Sequence, residues 1–157
     1  MIKKLFIGNS TIPNAGTGLF AGEDIRKCDV VMIWSMECFI ISEQDYNEEQ
    51  KKGNKVMIDT GARFVDGYFL YTDTKPRLEN HVNHSFDSNM LYHCGVCFAK
   101  KDILKGEELT VDYRYVLAKG DAARFVDTTT GATVDGVDSL TCLKETTEDL
   151  LNLLKQE

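Results

Sequence analysis

The amino-acid sequence predicts a mostly β domain with a few short helices. Short runs rich in Val, Ile, Phe and Tyr recur along the 157 residues, and Gly, Asn and Asp stand between them. Only a polar segment in the first half and the end of the chain have the composition of helices. The length and the 43% of hydrophobic residues suit one domain with its own core.

The apolar, β-branched runs are the expected strands. In chain order these strands are 2–7, 19–21, 30–34, 38–41, 56–59, 63–65, 68–71, 90–99 and 109–113. The cluster Asn14-Ala15-Gly16-Thr17-Gly18 is the expected turn before the second strand.

Two helices and one helical turn are expected. Ser42, with Asp45 three residues later, opens a polar surface helix over about 42–53. Residues 76–81 are expected to form a single helical turn. Thr147 is the expected cap of a closing helix. The side chains spaced to face a core from that helix are Leu150, Leu153 and Leu154.

The charge of the chain limits its partners. A formal net charge of −7 argues against a nucleic-acid-binding protein and fits a basic partner, such as a Lys-rich peptide. Acidity also aids solubility, and composition does not separate the two explanations. No stretch approaches the ~20 apolar residues of a membrane span, and the apolar start ends at Gly8, too early for a signal peptide. We expect an intracellular protein, cytoplasmic or nuclear, with no membrane partner; the oligomeric state is left open.

The cysteines indicate free thiols. Their number, 5, is odd, and their spacing is not that of a small secreted scaffold. Cys94 and Cys97 have the spacing of half a zinc site, but the sequence has no second pair at a suitable distance. We expect no bound metal, and a thiol or zinc site at this pair is the weaker alternative.

One phrase occurs twice. Residues 20–29 and 98–107 both have the pattern Phe-Ala-x-x-Asp-Ile-x-Lys-x-acid. Two copies are too few for a solenoid. Each copy is therefore expected to be a strand that leaves the core, a tight turn and a returning strand.

Three short motifs contain the candidate functional residues: Gly16-Thr17-Gly18, Asn83-His84-Ser85 and the run from Glu108 to Tyr113. Each has an ordinary explanation when taken singly, namely a glycine turn, a polar turn and a packed tyrosine. The glycines are not a dinucleotide fingerprint, because no third glycine opens a helix. No serine has the sequence context of a catalytic triad. His84 is not expected to bind a metal, because His81 and His93 have no carboxylate or cysteine at metal-ligand spacing.

Together the three motifs resemble those of the SET domain, in the same order and with similar gaps. The repeated phrase also resembles SET sequences, and the resemblance covers about residues 2–116. It implies a β-clip-like SET fold with a threaded pseudoknot near the C-terminus, an exception to the rule that chains avoid threading. Residues 1–116 are then the SET core, with the helical insertion at about 42–53. Residues 117–157 are an extension that closes the cofactor and substrate site.

The resemblance also implies an activity, that of a protein-lysine methyltransferase that uses S-adenosylmethionine and releases S-adenosylhomocysteine. In the family, the backbone of the glycine motif holds the methionine part of the cofactor, and the Asn-His pair holds its amino group and adenine. The implied cofactor-binding residues are Ala15, Gly16, Thr17, Gly18, Asn83 and His84. Tyr113 is the implied catalytic residue, at the point where the lysine channel meets the transferring methyl group.

The residues around the three motifs differ from those of the SET branch that has a zinc-binding tail. Phe86 stands where that branch has cysteine, and Cys142 is the one cysteine after Tyr113. The tail is therefore expected to be absent, and Phe125 or the closing helix is expected to cover the cofactor site. The pair Asn80-His81 replaces the usual Arg-Phe.

The implied residues of the substrate channel, besides Tyr113, are Tyr92, Tyr115 and Trp34. Tyr92 follows Asn83 by 9 residues and Tyr115 follows Tyr113 by 2, which resembles SET members that add few methyl groups. Trp34 stands beside Ser35, where the usual early aromatic falls.

The sequence therefore predicts transfer of a methyl group to a lysine side-chain amine of a protein, histone or histone-like, to a low degree. The alternative is a catalytically weak SET-like binding or regulatory module, which the altered positions at Asn80-His81 and Ser35 motivate. The substrate protein itself is not indicated by a fold resemblance.

Overall fold

The structure, a computed structural model, describes residues 3–34, 38–72, 77–121 and 125–155. Of the fifteen regular elements in these ranges, ten are short strands. The strands are β1 (Leu5–Asn9), β2 (Thr17–Ala21), β3 (Val30–Ile33), β4 (Phe39–Ser42), β5 (Ala62–Arg63), β6 (Tyr68–Tyr71), β7 (Asn83–His84), β8 (Met90–His93), β9 (Val96–Ala99) and β10 (Glu108–Val111). The helices are α1 (Glu43–Lys51), α2 (Lys55–Thr60) and α3 (Ser139–Leu154), with 3-10 turns at Leu78–His81 and Tyr113–Tyr115.

The strands form three small sheets, so the predicted mostly β class is confirmed. The strand orders are β1-β2-β10-β7, β3-β9-β8 and β4-β6-β5. In the first sheet β7 pairs parallel with β10, with Asn83 opposite Thr110 and His84 opposite Val111. This pairing brings the Asn-His motif beside the segment that leads into Tyr113. The expected threaded arrangement requires these two segments to be neighbours.

The two copies of the repeated phrase pair with each other. Ile25 and Ile103 exchange both backbone hydrogen bonds at 2.8 Å, and both side chains are buried. The aspartates act reciprocally: Asp24 Oδ1 accepts from Lys105 N and Asp102 Oδ1 accepts from Lys27 N, both at 2.8 Å. Each aspartate thus satisfies a backbone donor in the other copy, which explains why the phrase occurs twice.

The expected strand at residues 56–59 is wrong, because these residues lie in α2. The side chain of Asn54 caps this helix and accepts a hydrogen bond from Met57 N at 3.3 Å. A helix of 6 residues is too short to show helical periodicity. With no periodicity to indicate a helix, its apolar residues have the composition of a short strand, and the sequence therefore predicted a strand.

The start expected for the closing helix is also wrong, because α3 begins at Ser139 and not at Thr147. Asp138 is the N-cap, and its side chain accepts from Thr141 N at 3.0 Å. Thr147 is exposed within the helix. Among the leucines expected to face the core, Leu153 is buried and Leu150 is partly buried, but Leu154 is 51% exposed.

The late strands are shorter than expected. Residues 90–99 are two strands, because Cys94 and Gly95 have φ values of 49° and 83° and two successive positive φ values form a tight hairpin turn. β10 ends at Val111, and Tyr113 lies in a 3-10 turn. The helix expected at 42–53 is confirmed as α1, which Ser42 caps by accepting from Asp45 N at 3.1 Å. Pro76, in the expected helical turn, lies outside the described residues.

Arg63 attaches the segment before α3 to the core. It is 1% exposed, and its guanidinium donates hydrogen bonds to the Glu43 carboxylate and to Ser139 Oγ. It also donates to the carbonyl oxygens of Leu117 and Val137, both at 3.0 Å. These bonds connect β5 and the start of α1 with the chain that follows Tyr115.

The cysteines are free thiols, as expected. Within the described ranges, none of the helices has both the length and the apolar character to cross a membrane. In the same ranges no group of three or more His, Cys, Asp or Glu side chains is placed to hold a metal ion.

Candidate functional site

The Glu108 carboxylate organises one side of the site. Its Oε1 accepts hydrogen bonds from Ser10 Oγ at 2.7 Å and Asn83 Nδ2 at 2.8 Å. Its Oε2 accepts from the backbone and hydroxyl of Thr11 at 2.7 and 2.6 Å. Burial opposes ionisation, but the bonds from Thr11, Asn83 and Ser10 outweigh it and lower the pKa of Glu108. Glu108 therefore joins the Asn83 side chain to the loop that follows β1.

The two glycines of the early motif are needed for different physical reasons. A Cβ on Gly18 would lie 2.2 Å from Glu108 Oε1, so only glycine leaves room for that carboxylate. Gly16 has a φ of 73° and open space around it, so the backbone conformation favours glycine there. Gly18 thus makes space for a protein side chain, a role that the sequence did not indicate.

A cavity of about 380 Å³ lies beside Asn83. Its walls come from the loop after β1, the Asn-His motif, Tyr113 and the start of the last described range. The lining residues are Ile12, Pro13, Asn14, Ala15, Asn83, His84, Tyr113, Phe125, Val126, Asp127 and Thr128. Of the expected cofactor-binding residues, the cavity brings together Ala15, Asn83 and His84. Gly16, Thr17 and Gly18 are not among the residues that line it.

Asn83 has one free polar atom at this cavity. Its Nδ2 donates to Glu108 Oε1, to the carbonyl of Thr17 at 2.9 Å and to Ser10 Oγ at 3.2 Å. Among the described residues, nothing donates to its Oδ1. The Asn83 side chain is therefore oriented with an acceptor left for a ligand.

His84 has a free donor. Its Nδ1 accepts a hydrogen bond from Tyr113 N at 3.1 Å, and this bond favours the neutral tautomer that carries its hydrogen on Nε2. The side chain is 8% exposed and Nε2 lies 3.7 Å from Asp127 Oδ2, beyond hydrogen-bond distance. Within the described ranges, Nε2 has no hydrogen-bond partner. Burial lowers the pKa of His84, despite the nearby carboxylates of Asp112 and Asp127.

Tyr113 lies where this cavity meets a smaller one. Its hydroxyl donates to the carbonyl oxygen of Val82 at 2.6 Å, and its ring contacts Phe125 edge-on at 5.1 Å. Burial raises the pKa of Tyr113 to about 12, so the hydroxyl is neutral at physiological pH. Phe125 lines both cavities too, whereas no residue of α3 lines either of them.

The smaller cavity has a volume of about 60 Å³. It is lined by aromatic and aliphatic side chains together with three carboxylates. The lining residues are Trp34, Ile58, Asp59, Gly61, Glu79, Asn80, Val82, Tyr113, Val116, Leu117, Asp121 and Phe125. Trp34 is 6% exposed, and its Nε1 donor has no hydrogen-bond partner among the residues that the structure describes. The cavity thus combines apolar walls with negative charge.

The other two tyrosines expected in the channel lie elsewhere. Tyr92 is buried, contacts Trp34 edge-on at 5.3 Å, and donates its hydroxyl to the carbonyl of Arg63. Tyr115 donates to Glu145 Oε2 at 2.8 Å. Both line a separate cavity of about 100 Å³ next to Phe86. The structure therefore brings Trp34 and Tyr113 to the smaller cavity, but not Tyr92 or Tyr115, and Ser35 lies outside the described residues.

Several lining residues were not predicted. Asp127 follows Phe125 in the last described range, and only a local turn signal, Asp followed by Thr129 and Thr130, marks it in the sequence. Asp59 and Asp121 reach the smaller cavity from α2 and from the chain after Tyr115. Their sequence neighbours contain no motif, so only the fold brings them together.

Comparison with known proteins gives a family match. The family model described as "SET domain" matches residues 16–114. A probable histone-lysine N-methyltransferase set-23 of Caenorhabditis elegans is 30% identical over 133 residues, which are 76% of this chain and 54% of that protein. Histone-lysine N-methyltransferase SETD7 of Halocynthia roretzi is 30% identical over 131 residues, which are 76% of this chain and 34% of that protein. The chain thus spans about half, or less, of the length of these curated relatives.

A solved structure has a similar fold. This structure is ctPRC2 in an autoinhibited conformation bound to S-adenosylmethionine. Another similar structure is the Chaetomium thermophilum polycomb repressive complex 2. The TM-score is 0.55 at 21% identity, and the aligned region covers 100% of this chain and 24% of the other.

Proposed function

The chain belongs to the SET-domain family, and on this premise we propose that it transfers a methyl group from S-adenosylmethionine to a lysine side-chain amine of a protein. The observation that carries the proposal is that Tyr113 and Phe125 line both cavities. One cavity has the free polar atoms of Asn83 and His84. The other has Trp34 and three carboxylates. A cofactor and a cationic side chain would thus meet at Tyr113.

The larger cavity fits the cofactor chemically. The cofactor's amino group is a donor, and Asn83 Oδ1 is an acceptor that Glu108 holds in place through Nδ2. The buried Nε2 of His84 is a donor without a partner in the described part of the chain, and such a group is costly unless a ligand or water satisfies it. When bound, S-adenosylmethionine supplies an electrophilic methyl group on a positively charged sulfur.

The smaller cavity fits a lysine side chain. A free lysine amine has a pKa of about 10.4, and it must be neutral to attack a methyl group. The apolar walls at Trp34, Tyr113 and Phe125 favour the neutral amine, because burial disfavours charge, and the positive sulfur of a bound cofactor would act in the same direction, against the effect of the carboxylates. The carboxylates of Asp59, Glu79 and Asp121 attract cationic side chains toward the cavity. Tyr113, held by Val82, fixes the position of the amine.

We also propose a basic protein substrate, histone or histone-like, and a low degree of methylation. The net charge of −7 and the carboxylates around the smaller cavity support a basic partner. The names of the two curated relatives support histones. The volume of about 60 Å³ beside the bulky Trp34 supports few methyl groups on one amine. The division into a core at 1–116 and a closing extension at 117–157 remains part of this proposal.

The test is Tyr113→Phe, with Tyr115→Phe as the matched control. Tyr113→Phe removes the bond to Val82, so the turnover of labelled methyl groups should fall on the order of 100-fold. Binding of S-adenosylhomocysteine, measured by calorimetry, should be nearly unchanged. The control removes a hydroxyl that contacts Glu145 outside both cavities and should retain most of the activity. Equal activity in Tyr113→Phe and the parent would remove Tyr113 from this role.

A further inference from the structure

We propose that two copies of the chain form a symmetric dimer, in which their α3 helices pack antiparallel with Thr147 at the twofold axis. The surface that carries this proposal is an exposed row of leucines on α3. No residue of α3 lines either cavity at Tyr113. The dimer would therefore leave both cavities open, and it would form whether or not the protein transfers methyl groups.

The helix α3 has a second apolar face besides the one that packs on the domain. Cys142, Thr146 and Leu153 are its buried residues. At 3.6 residues per turn, a row of leucines lies about 120° around the helix from these three side chains. The leucines of this row, called the leucine stripe below, are between 36% and 57% exposed. They are Leu140, Leu143, Leu151 and Leu154.

The other long helix shows what a solvated surface looks like in this protein. Tyr46 is the buried residue of α1, and the remaining residues of that helix are charged or have amide side chains. A helix that faces only solvent on its outer side thus has polar residues there. Four exposed leucines in one row are instead typical of a surface that packs against another molecule.

The spacing of the leucine stripe matches a second copy of itself. Leu143 and Leu151 each lie four residues from Thr147, and Leu140 and Leu154 each lie seven residues from it. A twofold axis at Thr147 therefore places Leu143 of one copy against Leu151 of the other. The same axis places Leu140 against Leu154, so the surface is complementary to itself, as a twofold interface requires. An unrelated partner would not need leucines at equal distances from one central residue.

The charges beside the stripe are also complementary in this arrangement. Lys144 and Glu148 are exposed and lie on the same side of the stripe. Among the described residues, neither has an ion-pair partner within its own chain. At a rise of 1.5 Å per residue, Lys144 of one copy and Glu148 of the other would lie about 3 Å apart along the helix axis. The twofold axis repeats the pair, and such pairs at the edge of an apolar seam set the partner and its orientation.

A membrane surface fits the stripe poorly. Helices that lie on membranes have Lys and Arg on their polar face. The polar face of α3 has three acidic residues, Glu145, Glu148 and Asp149, and the whole chain has a net charge of −7. Anionic lipids would therefore repel this face.

Analytical ultracentrifugation of the parent and two variants tests the dimer. The variants are Leu151→Glu, in the stripe, and the matched control Leu104→Glu, at an exposed leucine outside α3. A single helix pair is a small interface, so we expect the parent to dimerise with a dissociation constant on the order of 10 μM. Leu151→Glu should raise this constant at least about tenfold, because it buries a charge against Leu143. Leu104→Glu should dimerise like the parent.

A parent that stays monomeric up to about 500 μM overturns the inference, since even weak specific interfaces form at that concentration. A dimer that Leu151→Glu and Leu104→Glu weaken alike overturns it too. Salt at about 0.15 M screens the repulsion between the two acidic chains.

Exchanging the charges tests the antiparallel arrangement, even if Leu151→Glu does not fold. Lys144→Glu alone and Glu148→Lys alone each place like charges across the axis, and each should weaken the dimer about fivefold. The double variant restores opposite charges and should dimerise like the parent. Single variants that dimerise like the parent, or a double variant as weak as the single ones, would show that these helices do not pair in this way.

Discussion

At the scale of single residues, the site depends on groups that hold other groups. Glu108 does not line the larger cavity, yet it orients Asn83, which does. Gly18 is part of the same arrangement, because any side chain there would displace the carboxylate. The pair explains why the early glycine motif and the late Glu-to-Tyr motif occur together in one chain.

The change Glu108→Gln tests this arrangement. Glutamine has one acceptor oxygen, so some of the hydrogen bonds from Ser10, Thr11 and Asn83 must be lost. Hydrogen bonds to a charged group contribute more than neutral ones, and we expect binding of S-adenosylhomocysteine to weaken about tenfold, as measured by calorimetry. Glu107→Gln, at the exposed neighbouring residue, is the control and should bind like the parent. Unchanged binding in Glu108→Gln would show that Asn83 needs no orientation by Glu108.

At the scale of secondary-structure elements, the start of α3 differs from the sequence prediction, whereas the start of α1 agrees with it. Ser42 caps α1 as predicted, because a serine with an aspartate three residues later is a strong local signal. Asp138 has the same capping role in α3. The first turns of α3 contain Thr141 and Cys142, which are poor helix formers. The leucine spacing at the end of the helix is a stronger pattern, so the predicted start fell too late.

Replacing the two candidate caps of α3 decides between them. Asp138→Ala removes the acceptor for Thr141 N and should lower the free energy of unfolding by about 1 kcal/mol. Thr147→Ala changes an exposed residue inside the helix and should alter it by less than about 0.5 kcal/mol. Urea unfolding of both variants measures the difference. A larger loss in Thr147→Ala than in Asp138→Ala would contradict the observed helix start.

At the scale of the whole molecule, the motif residues could be predicted but their surroundings could not. Asn83, His84 and Tyr113 belong to ordered motifs, and the fold does bring them to one cavity. Asp59, Asp121 and Asp127 come from segments without motifs and meet the site only through long-range packing. Tyr92 has the expected spacing, but its hydroxyl bonds the carbonyl of Arg63. Spacing along the chain does not determine where a hydroxyl finds an acceptor.

The stability of the molecule should fall in two stages as the pH falls from 7. Burial lowers the pKa of His84 and of His93, so the unfolded chain takes up protons first below about pH 6.5. The Lys3 ammonium lowers the pKa of Asp29, and hydrogen bonds that outweigh burial lower the pKa of Glu108 and Asp127. Their contribution is fully present above about pH 4 and is lost as the pH falls through their folded pKa values.

Urea unfolding midpoints measured from pH 8 to pH 3 test this dependence. The expected midpoint is highest near pH 7 and decreases at each stage below it. Measurements at about 0.15 M salt keep the repulsion among exposed charges screened. A midpoint that rises steadily as the pH falls from 7 to 5 would contradict the assignment of neutral, buried histidines.

If the two cavities that share Tyr113 hold a cofactor and a lysine side chain, the protein transfers a methyl group to a protein lysine. The most direct measurement incubates the purified chain with labelled S-adenosylmethionine, mixed histones and a cell lysate, and identifies the labelled residue by mass spectrometry. We predict label on a lysine side-chain amine of a basic protein, mostly as monomethyl-lysine. Tight binding of the cofactor with no labelled lysine in any protein would contradict the claim and would support a SET-like binding module.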